Sequence, residues 1–189
     1  MSKISQFAWS SRVLHWLMAL ALLAMLAIGM AMVASLERYR FLVAIHRPLG
    51  ILILVLTGIR IVNRQVKPLP PFLSTMSATE RMIATASERL LYALMLLLPL
   101  VGWGMLSAAR LPVRVGPVVL PPILPHSTAL YALLRRSHTV LAYLLFFSFM
   151  AHLSAVLFHS LVLRDGLLSR MLPWTPRPRG TDKTDSGAT

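Results

Sequence analysis

Six histidines punctuate an otherwise apolar chain: His15, His46, His126, His138, His152 and His159. All but His126 fall inside or at the edge of long hydrophobic runs. An ionisable side chain at membrane depth is costly, so each of these five is a functional candidate. Imidazole can ligate a metal, carry a proton, or bond one helix to the next. The spacing of two of them is informative. His152 follows His138 by fourteen residues. On a helix that is a rise of roughly 21 Å and a rotation about 40° short of four turns. Both rings therefore point to nearly the same side of one helix, in opposite halves of a membrane.

Four hydrophobic runs must position these rings: 13–33, 42–62, 90–109 and 139–163. Each is long enough to cross a hydrocarbon core of roughly 30 Å as a helix. None alternates with period two, so a barrel is excluded in favour of helices that satisfy their own backbone. The first run has no small-residue cleavage site with a polar stretch behind it, so it reads as a retained helix. Prolines crowd the segments 63–79 and 107–137, which predicts extended connections there. Residues 127–136 are expected to form a short helix on the membrane surface. The expected fold is an all-α integral membrane four-helix bundle over 1–172, with a polar, disordered tail over 173–189.

Composition points the same way. The 189 residues are 57% hydrophobic and 13% charged. An ordinary soluble domain carries roughly 25% charged residues, and so small a globule cannot hide this much apolar surface. There is no cysteine, which excludes disulfides, zinc thiolates, iron–sulfur clusters and thiol nucleophiles. The net charge is +13, yet no segment offers the polar basic face with interleaved aromatics that nucleic acid requires. Of the nineteen lysines and arginines, twelve lie on the side of the N-terminus, the 63–79 segment and the tail. That bias predicts a membrane protein with both termini cytoplasmic. The outer side still holds seven arginines against one acid, Glu37. Such a field attracts a small anion or an acidic redox protein.

The depths of the histidines now pair them. His46 opens the second span and His138 the fourth, both in the outer half. His15 and His152 both lie in the inner half. Two neutral imidazoles from different helices can clamp a haem iron as its two axial ligands, with apolar side chains over the ring faces. His159, seven residues past His152, is an alternative inner ligand. Depth favours His152, which leaves His159 for proton exchange with a quinone. His126, in the proline-rich loop, reads as a solvated residue.

At these residues the chain resembles the bacterial cytochrome b561 family of four-helix membrane di-haem proteins. The first helix carries Arg12-Val-Leu-His15-Trp16. The second carries Ile45-His46-Arg47-Pro48-Leu49-Gly50-Ile51, leading to Arg60 and Arg64. The fourth carries His138, His152 and His159, followed by Arg164-Asp165-Gly166-Leu167-Leu168-Ser169-Arg170-Met171. The resemblance covers about residues 8–172. It implies two b-type haems, held by His15 with His152 and by His46 with His138. It also implies electron transfer between a periplasmic partner and membrane quinone, with superoxide:ubiquinone oxidoreductase activity in some members. The segment 110–136 is more proline-rich and basic than the family pattern.

Supporting residues follow from porphyrin chemistry. Arg12, Arg60 and Arg64 are candidates for the propionates of the inner haem, and Arg47, Arg135 and Arg136 for the outer one, because the guanidinium fork suits carboxylates. Gly50, one turn after His46, would let a porphyrin approach the backbone, as would Gly102 and Gly104. The leading expectation is a di-haem electron carrier using ubiquinone. A haem subunit anchoring a larger dehydrogenase is a close variant. A non-haem transporter lined by histidines and a structural protein with histidines as glue are the other classes.

Overall fold

The computed structural model describes residues 6–172. Four long helices form it: α1 (Trp9–Ala34), α2 (Tyr39–Val66), α3 (Ala78–Ala108) and α4 (Thr128–Leu157). All four are long and apolar enough to cross a membrane, α4 through its continuation to Leu163. The chain is an all-α four-helix membrane bundle with one small addition. Between α3 and α4 an antiparallel hairpin pairs β1 (Val113–Val115) with β2 (Val118–Leu120). Gly116 turns it at φ +59°, a left-handed conformation that glycine adopts without penalty. The expected disordered tail lies outside the described residues.

The helices outrun the hydrophobic segments that announce them. α3 starts at Ala78, not at residue 90. Its opening turns are polar but capped: Ser77 Oγ accepts from the Glu80 N–H at 3.3 Å, and Glu80 Oε2 accepts from the Ser77 N–H at 2.6 Å. This reciprocal pair satisfies two backbone donors that a helix start leaves open. The separate surface helix expected at 127–136 does not form. Ser127 instead caps α4, accepting from the Leu130 N–H, and the helix runs unbroken through His138. No glycine or proline interrupts residues 127–138, so nothing stops the helix at the membrane surface. α4 ends in a π-helical turn, Phe158–Leu163, closed by Arg164 in the left-handed region at φ 51°.

Three helix pairs pack along their lengths: α1 on α2, α2 on α3, and α3 on α4. α4 packs on α3, with far less contact to α1 and α2. Side chains of all four helices meet in the middle of the bundle. Leu22, Ile53, Leu94, Met95, Leu98, Leu145 and Phe149 form one buried cluster. Its placement follows the histidines. Leu22 lies seven residues after His15, Ile53 seven after His46, and Leu145 seven from both His138 and His152. Two helical turns are roughly 10 Å, so the cluster sits between two histidine levels. The outward face is the reverse, with Leu20, Val33, Val62 and Phe147 exposed as lipid contacts.

Candidate paired-histidine site

At the end of the bundle that carries the hairpin, His46 of α2 meets His138 of α4. Their ring centroids are 6.2 Å apart with planes at 67°. An imidazole nitrogen binds a first-row metal at about 2 Å, so two rings sharing one metal have centroids about 6 Å apart. His46 Nδ1 is buried without a hydrogen-bond partner, whereas the His138 ring faces the Leu98 carbonyl of α3. An unsatisfied buried polar atom costs about 1–3 kcal/mol. His138 also rests against α3 at Gly102, where an added Cβ would stand 3.3 Å from its Cε1. The missing side chain of Gly102 thus makes room for an imidazole. Gly104 has another use: its bare backbone accepts Leu124 of the loop, 2.8 Å from an added Cβ. A Cβ at Gly50 would meet Met25 of α1 at an ordinary 3.7 Å.

The same end is roofed by the proline-rich segment. Trp103 Nε1 donates to the Pro121 carbonyl at 3.0 Å, and Ser107 Oγ accepts from the Ile123 N–H. His126 Nδ1 pairs with the Ala108 carbonyl at 2.8 Å, so this histidine ties the loop to α3. Arg38, Arg40, Arg47, Arg110, Arg114, Arg135 and Arg136 also lie at this end. Among the described residues none of the seven is in an ion pair.

At the other end, which carries the N-terminus, His15 lies within electrostatic range of His152 and Arg60. Arg60 is the notable cation of the interior. Its Nη2 donates to His15 Nδ1 at 3.1 Å, and its Nε donates to the Tyr92 hydroxyl at 2.8 Å. Its Nη1 is buried with no partner. One turn further along, Arg64 is bonded to Glu88 at 2.7 Å. Each step of four along α2 is matched by four back along α3, as antiparallel helices require. A cavity of about 10 Å³, the size of one water, touches Arg60, Arg64, Asn63 and Tyr92. Arg12 is placed elsewhere: its Nη1 donates to the Leu172 carbonyl at 2.8 Å and to Gln6. Trp16 stacks edge-on against His15 and donates to the Met171 carbonyl. Residues 170–172 are thereby strapped across α1.

His159 sits in the π-helical turn, and its Nδ1 meets Asp165 Oδ2 at 2.5 Å. Burial would raise the Asp165 carboxyl, but hydrogen bonds from His159 and from the Leu167 N–H outweigh it and hold it below the ordinary carboxylate range. A carboxylate depressed in this way stabilises its turn at neutral pH. That contribution disappears only as pH falls through the lowered value.

A b-type haem fits these residues. Among the described residues no three metal-ligating side chains converge, as a bare ion would need. Haem iron asks the protein for only two ligands, because the porphyrin supplies the rest. The ring separation, the unpartnered His46 Nδ1 and the unpartnered Arg60 Nη1 suit such a group.

Sequence inspection found the histidines and the arginines but missed Tyr92 as the partner of Arg60, Asp165 of His159 and Glu88 of Arg64, and missed Asn63, which bonds Ser10 and Ser11 of α1. Asn63 and Glu88 carry a signal of sorts, being polar residues near span ends. Tyr92 carries none.

Fold and site together define a class: a membrane four-helix bundle with two histidines facing each other at one end and a histidine–arginine contact at the other. The family described as prokaryotic cytochrome b561 matches residues 6–174. The chain belongs to that family, whose members are membrane proteins of electron transport. It is also similar to a Yersinia pestis protein named "Probable superoxide oxidase CybB", at 29% identity over 161 residues. The aligned region covers 85% of this chain and 92% of that protein.

Proposed function

We propose that the chain is a di-haem b-type cytochrome that moves electrons across the bacterial inner membrane, from a periplasmic donor such as superoxide to ubiquinone. The observation that carries this reading is the His46–His138 ring separation of 6.2 Å. His46 and His138 would hold one haem and His15 and His152 the other. Bound there, iron with two imidazole ligands supplies one-electron chemistry and no open position for oxygen. The chain supplies the rest. The plug of Leu22, Ile53, Leu145 and Phe149 keeps water and protons out of the middle. Two superoxide anions each lose one electron and become dioxygen. Ubiquinone takes the two electrons and two protons and becomes ubiquinol. His159, backed by Asp165, is placed to pass protons at the cytoplasmic end, where both chain termini would lie.

Stopped-flow mixing tests this reading. The purified protein should be red, reduced by superoxide and reoxidised by a ubiquinone analogue. The seven arginines, none in an ion pair among the described residues, predict that raising ionic strength slows the first step, because salt screens the attraction of a small anion. A colourless protein made with haem available sinks the proposal in favour of a transporter or structural role. A salt-independent rate removes steering alone.

Gly102→Ala tests the hairpin-end site more gently. The added methyl presses on His138 and moves it by a few tenths of an ångström. The expected result is a shifted absorption band for one haem, with both haems retained. Gly50→Ala meets only ordinary contact from the protein's own side chains, so a displaced band in that variant marks a porphyrin lying against the α2 backbone.

A further inference from the structure

We infer that Tyr92 is a positioning residue for the centre at His15 and His152: it holds the Arg60 guanidinium in place and so sets that centre's reduction potential. The inference rests on the proposed haem at those two histidines.

Arg60 has two side-chain partners, Tyr92 and His15. A neutral imidazole has a single lone pair. Once His15 gives that pair to a metal, it cannot also accept from Arg60. The contact that survives is the one to Tyr92. It is two-fold: Nε donates to the phenol oxygen at 2.8 Å, and the guanidinium carbon stands 5.8 Å from the ring centroid, within cation–π range. Nη1 and Nη2 are then both available to a carboxylate, in the fork geometry arginine offers.

Among the described residues no acid is in an ion pair with this cation; Glu88, which feels its charge, is bonded to Arg64. A positive charge held in a poorly polarisable interior acts strongly on its surroundings. It favours the reduced state of a nearby redox centre, which carries one positive charge less. Moving the guanidinium away must lower the potential. The phenol decides where it sits.

The test is spectroelectrochemical titration of the purified protein, with haem counted per chain. Tyr92→Phe keeps the ring and removes the hydroxyl. Tyr92→Leu removes both contacts. The potential of one haem should fall in that order, with Arg60→Gln falling furthest. For Tyr92→Leu the expected fall is about tenfold in the reduction equilibrium, or about 59 mV for one electron. In an Arg60→Gln background, Tyr92→Leu should add nothing, because the residue acts through the arginine. A purely structural tyrosine would instead lower stability and leave the potentials alone. If Tyr92→Leu does not accumulate, Arg60→Lys asks the same question. Lysine keeps the charge but lacks the Nε that Tyr92 accepts from, so the same potential should fall. Unmoved potentials in a two-haem protein overturn this inference and leave the proposed function standing. A wild-type protein without haem overturns both.

Discussion

Alanine at His46 or at His138 is expected to remove one haem and leave the other in place. The two ring centroids stand 6.2 Å apart between α2 and α4, and among the described residues no third ligating side chain converges there. Losing either ring leaves iron with one protein ligand at that level. The other level should not notice. Leu22, Ile53 and Leu145 are all at most 5% exposed, and each lies two turns from a histidine. That packed layer separates the two sites by its own thickness and is assembled from all four helices. Haem content measured as the pyridine haemochrome should fall from two per chain to one, and a redox titration should lose one wave. His126→Ala is the control. It breaks a bond to the Ala108 backbone in the loop and should keep both haems. Unchanged haem in the His46 and His138 variants would end the ligand assignment. Loss of both haems would mean that the levels do not fold independently.

The architecture was legible because its determinants are local. Four apolar runs announce four spans, and helical rotation alone puts His138 and His152 on one side of α4. The heptad spacing of Leu145 to both was equally available and equally simple. The ends of the helices were harder, since hydropathy is blind to polar turns. α3 gains its first turns from the Ser77–Glu80 cap, not from lipid, and α4 continues through Arg135 and Arg136 because long arginine stems can reach headgroups from within a helix. The tertiary partners were not legible at all. Arg12, Arg60 and Arg64 look alike as cations near span ends. Only packing separates one strapped to Leu172, one held by Tyr92 and His15, and one paired with Glu88. Gly102 and Gly104 are likewise two residues apart, yet one faces His138 and the other Leu124. A glycine records that space is needed and not what fills it.

The largest kinetic effect is expected at the end that carries the N-terminus, the cytoplasmic one in the proposed orientation. His15→Ala and His152→Ala should leave reduction by superoxide fast, since His46, His138 and the arginines of the hairpin end are untouched. Reoxidation by a ubiquinone analogue should slow by a hundredfold or more, equivalent to about 2.7 kcal/mol of barrier. The reason is distance: the two ligand levels on α4 differ by roughly 21 Å, and without the second centre an electron has no intermediate stop. Single-turnover stopped flow separates the two phases. His159→Ala should behave differently, because its ring is committed to Asp165. It should retain two haems and show slower quinone reduction with a changed pH profile. Loss of the cytoplasmic-end haem from His159→Ala, with retention in His152→Ala, would move the ligand from α4 to the π-helical turn. Fast reoxidation in both His15→Ala and His152→Ala would place the quinone at the hairpin end and remove the transmembrane step from the proposed route.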